Sequence, residues 1–167
     1  LADDNFASIV AAIEEGRVVF ENLKKVIFFM MSNSFAEVVL ILGSIAFGWP
    51  MPLTIIQILW LHLLCDGPED IVLGFEPKER EVMAEGPKNI NEPVLSRFGI
   101  FLVFLISSMS GLFALGLFWF FGLHLKDLVL GQTMAFMSIS FASILYIFSC
   151  RTFRKPFWKY ENFWTNK

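Results

Sequence analysis

"ILWLHLLCDGPEDIVLGF", residues 58–75, has the apolar density of a membrane-spanning run, yet it holds His62, Cys65, Asp66, Glu69 and Asp70 around a Gly67-Pro68 pair. The residues around it take the same reading. The chain is 56% hydrophobic with a mean hydropathy of +0.62, above the roughly 45–50% apolar content of soluble domains. A formal net charge of −3 argues against nucleic acid as a partner. Cys65 and Cys150 both lie in or beside apolar runs, so a disulfide framework is not expected. The sequence therefore predicts an all-α membrane protein.

Four runs are long enough to cross a bilayer, which takes about 20 apolar residues. They cover 26–47, with Glu37 as the only charge, then 51–75 with the polar break, then 98–121 and 131–150 with no charge at all. "GWPMP" (48–52) makes a tight turn between the first two, and "GLHLKDLVLG" (122–131) links the last two. The expected layout is four transmembrane helices in two hairpins. With that layout, every Lys and Arg among the 13 in the chain lies on one side except Lys126. The bias of basic residues toward the cytoplasm then puts both termini and the loop "EPKEREVMAEGPKNINEPVLSR" (76–97) inside. Ahead of the first span, "DDNFASIVAAIEEGRVVFENLKK" (3–25) offers Asp4 or Asn5 as a helix cap. Phe6, Ile9, Val10, Ile13 and Phe20 follow at helical spacing. A cytoplasmic N-terminal stalk helix running straight into the first span is expected, with an amphipathic helix lying on the membrane surface as the other reading.

Residues three and four apart share a helix face, so Asn33, Ser34 and Glu37 cluster in the first span. His62, Cys65, Asp66 and Glu69 form a stripe in the second if it stays helical. Pro68 removes a backbone donor and crowds the carbonyl of Leu64, and an unwound segment would expose main-chain carbonyls, tolerated only beside protein or a wet cavity. Together these groups make an oxygen-rich cage of the type hard cations prefer. A charge at the bilayer centre costs about 2.5–3.5 kcal/mol on insertion scales, so intramembrane carboxylates default to function. The bland readings differ by residue. Glu37 and Asp66 would merely bond between helices, and His62 would be a polar packing residue instead of a ligand or proton carrier. Cys65 would be a small buried apolar group. Glu69 and Asp70, near the end of the span, are expected in solvent. Ser107, Gly111 and Ala114 read as small residues for close helix packing, and the 20 Phe as lipid contact.

At this point the sequence resembles a known family. "LADDNFASIVAAIEEGR" (1–17) followed by "NLKK" (22–25) is similar to the end of the phosphorylation domain and the stalk of P-type cation-transporting ATPases, in the calcium-pump-like branch. "SNSFAEVV" (32–39) resembles their fifth span, "QILWLHLLCDGPEDIVLGFEP" (57–77) their sixth, and "GQTMAF" (131–136) the start of their eighth. The resemblance implies a division of the chain. Residues 1–25 would end the phosphorylation domain and form the stalk, and 26–75 would be the ion-binding hairpin. Residues 76–97 would be a cytoplasmic loop, 98–150 the second hairpin (seventh and eighth spans), and 151–167 a cytoplasmic segment of a truncated chain.

It also implies roles. The fifth-span Glu and sixth-span Asp that ligate the cation match Glu37 and Asp66. The fifth-span Asn is replaced by Ser34, with Asn33 one position earlier; the sixth-span Asn and Thr correspond to His62 and Cys65. The eighth-span acidic ligand of two-site pumps falls on Ser143. These departures fit a single cation site, with proton countertransport, better than two calcium ions. The implied substrate is calcium or a similar hard cation, with ATP and magnesium used by the full-length protein. The implied partners are the lipid bilayer and the remaining domains and spans of the same pump, in a bacterial plasma membrane. The Asp-Lys-Thr-Gly-Thr phosphorylation motif does not occur in these 167 residues, so catalysis would lie outside them. The helix joining Asp3 and Asp4 to Glu37 would carry movement from phosphorylation to the ion site. Two alternatives stand beside this: a transition-metal pump using His62, Cys65 and Asp66, and a non-catalytic membrane assembly module. Against the first, neighbours such as Cys65 and Asp66 diverge by about 100° on a helix.

Overall fold

A computed structural model describes residues 6–77 and 93–151, and these are helical with no strand. The cap expected at Asp4 or Asn5, the basic residues Lys78, Arg80 and Lys88, and the tail holding Arg154, Lys155, Lys159 and Lys167 lie outside the described residues. The elements are α1 (Phe6–Ala46), α2 (Ile55–Trp60), a π-helical turn (Leu61–Asp66), α3 (Gly67–Gly74), α4 (Arg97–Leu117), a second π-helical segment (Phe118–His124) and α5 (Leu128–Cys150). Among them three stretches are long and apolar enough to cross a membrane: Ala7–Ala46, Arg97–His124 and Leu128–Cys150. The helical run 55–74 is not among those three; it carries Asp66, Glu69 and Asp70. α1 has 41 residues without interruption. At 1.5 Å per residue it is about 60 Å long, twice the hydrocarbon thickness, so a large part of it stands outside the bilayer.

Local chemistry sets the boundaries. Gly48 takes a left-handed φ of 67° and ends α1, while Trp49 N–H donates to the Ser44 carbonyl at 2.9 Å. Thr54 caps α2 in a reciprocal box: Gln57 N–H donates to Thr54 Oγ1 and Thr54 N–H to Gln57 Oε1. Ser96 and Asp127 accept from Gly99 N–H and Leu130 N–H at the starts of α4 and α5, each at 3.0 Å. Gly67-Pro68 does not unwind the chain. Gly67 N–H donates to the His62 carbonyl five residues back, and Pro68 sits in the first turn of α3, where a missing N–H is tolerated. The wide turn absorbs the crowding that a proline ring imposes on the preceding turn of an α-helix.

Two apolar clusters hold the helices together. One joins Leu40, Leu53, Leu61, Ala114, Leu115, Phe118, Ala135 and Ile139; the other joins Phe28, Phe29, Leu73, Val103 and Cys150. Along α1, 55–74 and α5 alike, four buried polar residues (Asn33 and Glu37, Asp66, Ser143) fall in sequence between that helix's contributions to the two clusters. A polar layer is thus sandwiched between two greasy ones. Outside it, large apolar side chains face outward, as Ile55, Phe75 and Val129 do at 86%, 82% and 73% exposure, the arrangement expected where the solvent is lipid.

Ser107, Gly111 and Ala114 are buried on α4. A Cβ on Gly111 would stand 2.6 Å from the Ala36 carbonyl oxygen and 2.8 Å from Val39 Cβ, so α1 and α4 approach as closely as they do because Gly111 has no side chain. Gly111→Val is therefore expected to lower the thermal midpoint of the detergent-purified protein by several degrees, the order for about 1–3 kcal/mol of overpacking. Gly116→Ala, at a position with nothing within 4 Å, is expected to leave the midpoint unchanged. Equal effects of the two would refute this account of the helix contact.

Candidate cation site

Three elements deliver the polar layer. α1 supplies Asn33 and Glu37, one turn apart on one face; the π-helical turn supplies His62 and Asp66; α5 supplies Ser143. Asn33, Glu37, Asp66 and Ser143 are all buried, while the His62 side chain is 49% exposed. His62 bridges the carboxylates, with Nε2 3.2 Å from Glu37 Oε2 and Nδ1 3.1 Å from Asp66 Oδ2. An imidazolium donates from both ring nitrogens, a neutral imidazole from one only. Asn33 Nδ2 donates to Asp66 Oδ1 at 3.0 Å and to Ser143 Oγ at 2.9 Å. Ser143 Oγ lies 2.7 Å from Glu69 Oε2 and 3.4 Å from Asp66 Oδ1.

One ligand atom each from Glu37, His62 and Asp66 lie within 4.8 Å of one another. Oxygens bound to one calcium ion at 2.3–2.6 Å are separated by about 5 Å at most, so the spread of these three atoms is compatible with a single such ion. A tetrahedral zinc would draw its ligands to within about 3.5 Å of each other, a tighter contraction. Carboxylates grouped between low-dielectric walls focus a field that attracts cations.

The residues picked out from sequence divide into two groups. Glu37, His62 and Asp66 converge, with Asn33 bonded to Asp66 by its amide nitrogen. Ser34 instead opens on a shallow apolar groove with Met30, Met31, Phe35 and Val38. Cys65 packs against the first apolar cluster and meets Ser140, diverging from its neighbour Asp66. Glu69, expected in solvent, is half-buried and takes the Ser143 hydroxyl. Its three-residue spacing from Asp66 carried that signal. Ser143 itself was marked only by its place in the resemblance, since nothing else distinguishes one serine among several on α5.

The chain is also similar to known proteins over most of its length. Residues 50–167 match the family described as cation transporting ATPase, C-terminus. The chain is 37% identical to Calcium-transporting ATPase 1 of Bacillus cereus, over all of this chain and 20% of that protein. It is 34% identical to a cation-transporting ATPase of Synechocystis, over 96% of this chain and 18% of the relative. It is also 34% identical to the calcium-transporting ATPase of Bacillus subtilis, over 91% and 17%. The chain thus spans about a fifth of the length of the curated relatives it matches.

Proposed function

The chain belongs to the cation-transporting ATPase family, in the part described as its C-terminus, and from that premise we propose that it is the ion-binding membrane module of an ATP-driven pump for calcium or a similarly hard cation. The observation that carries this reading is the convergence of Glu37, His62 and Asp66 from two separate helical elements. Glu37 and Asp66 are the metal ligands in this proposal, with His62 between them as a ligand or as the group that covers the carboxylates when no cation is bound. Asn33 holds Asp66. Ser34 and Cys65 face away from the cluster and stand outside the ligand set. Three atoms do not complete a calcium shell of six to eight oxygens; the half-exposed side of His62 is where waters, carbonyls or another segment of the same pump would supply the rest.

The wider arrangement follows the same reading. The run 55–74 crosses the membrane as the second of four spans, paired with the apolar half of α1, and α4 pairs with α5. The N-terminal half of α1 stands in the cytoplasm as the stalk, on the side where the basic residues gather. Movement of that stalk shifts Glu37 relative to Asp66, so access and affinity change together. ATP and magnesium act in the rest of the pump, and the bacterial relatives support a plasma-membrane location.

The test uses the full-length pump that carries this chain. Acid-stable phosphoenzyme is formed from ATP with magnesium present throughout and titrated with calcium, manganese, zinc or no added metal. Calcium-dependent phosphorylation is expected. Zinc dependence lost in His62→Ala would support a transition-metal pump instead, the reading that the imidazole in the cluster favours. No phosphoenzyme with any metal from a well-folded preparation would leave only a non-catalytic membrane module.

A further inference from the structure

We propose that Glu69 is a positioning residue for the cation site: acting through Ser143 and Asn33, it commits one oxygen of Asp66 to the protein and leaves the other for the ion. This rests on the reading of Asp66 as a ligand given above.

The hydrogens along this chain can be counted. Ser143 has a single hydroxyl proton and two acceptors within reach, Glu69 Oε2 at 2.7 Å and Asp66 Oδ1 at 3.4 Å. The shorter contact has the length of an O–H donor to a carboxylate, and the longer one is too stretched to compete. The proton therefore goes to Glu69, and the Ser143 lone pairs are free to accept. Asn33 supplies what they accept, with one amide hydrogen on Ser143 Oγ and the other on Asp66 Oδ1. Each donor in the chain has one destination. Asp66 Oδ1 is tied to α1, and Oδ2 is left facing His62 Nδ1 and, beyond it, Glu37.

Without an acceptor at position 69, the Ser143 hydroxyl is free to turn to Asp66 Oδ1 or to a carbonyl one turn back on its own helix, as Ser140 does, and its lone pairs no longer stay aimed at the Asn33 amide that holds Asp66 Oδ1. The orientation of the Asp66 carboxylate then loses its anchor. Asp66 would still ligate, but less well aligned, so affinity falls while the capacity to be phosphorylated stays. Glu69 needs no charge for this; it needs an oxygen in place.

The experiment titrates calcium-dependent phosphoenzyme in the full-length pump. Glu69→Ala and Ser143→Ala are each expected to raise the half-saturating calcium by about tenfold, the order for losing one charge-assisted hydrogen bond. Maximal phosphoenzyme should be unchanged. The double variant should be no worse than either single one, because both break the same chain. Glu69→Gln, whose amide oxygen accepts the same hydrogen bond, should restore affinity to within about threefold. The proposal is overturned if Glu69→Gln is as damaging as Glu69→Ala, which would make the carboxylate itself a ligand, or if the two alanine effects add. A metal-free measurement separates this failure from failure of the site reading. In calcium-free thermal unfolding, Glu69→Ala and Ser143→Ala should again be non-additive whatever ion the pump carries, and strict additivity there rejects the chain independently.

Discussion

Asp66→Asn in the full-length pump is expected to raise the half-saturating calcium for phosphoenzyme formation by at least about a hundredfold while the protein folds normally. The substitution keeps the size of the side chain and an oxygen, so the packing between the two apolar clusters is left alone. What it removes is one of the two buried carboxylate charges proposed to hold the ion, where losing one partner of a charge pair costs about 2–5 kcal/mol, with about 2.7 kcal/mol corresponding to a hundredfold. Glu37→Gln is expected to behave in the same way, since the two carboxylates enter the cluster from opposite sides through the same imidazole. Thermal midpoints in the absence of calcium should differ little from that of the parent protein. A loss of calcium response accompanied by a large fall in midpoint would mean that the carboxylates hold the fold and not the ion.

The second large effect is structural and lies away from that site. Arg151, the residue after α5, donates from both Nε and Nη2 to Glu76 Oε1 at 3.0 and 2.8 Å, and the Glu76 side chain is fully buried. Asn22 on α1 donates to the carbonyls of Gly74 and Glu76 at 3.2 and 2.8 Å. Three elements that share no local sequence are thereby tied at one level. Removing Arg151 leaves the buried Glu76 carboxylate without the charge it is paired with, at a cost of about 3–5 kcal/mol. Arg151→Ala is expected to lower the thermal midpoint by roughly 10 °C. The pair replaced together, Glu76→Met with Arg151→Met, should be less damaging than Arg151→Ala, because no orphaned carboxylate remains. Independent, additive losses would show that the pair contributes nothing through its pairing.

The helical architecture could be read from residue chemistry because each long helix announces itself. The run 98–121 has no charge and cannot be soluble, and "GWPMP" leaves the chain no option but to turn. Glu37 and Asp66 stood out for the same reason, as carboxylates where hydrocarbon should be. Other features are set by geometry that no linear pattern encodes. Whether Gly67-Pro68 breaks the main chain or is absorbed depends on one hydrogen bond to His62, five residues back, and a π-helical turn has no periodic signature. On α5 several serines are scattered among apolar residues, so hydropathy gives no hint that Ser143 faces Asp66 while Phe141 and Leu145 face out. Cys65 and Ser34 lay beside the right residues in sequence, but adjacency on a helix means divergence in space. The Glu76–Arg151 pair joins positions 75 apart, and only the packing of α3 beside α5 reveals it.

If Glu37 and Asp66 together hold the transported cation, as proposed, they govern equilibrium binding of radiolabelled calcium to the purified full-length pump without ATP. Saturable binding at one site per pump, lost in both Glu37→Gln and Asp66→Asn at concentrations that saturate the parent, is the predicted result. Undiminished binding in the two well-folded variants would contradict it and place the ion elsewhere.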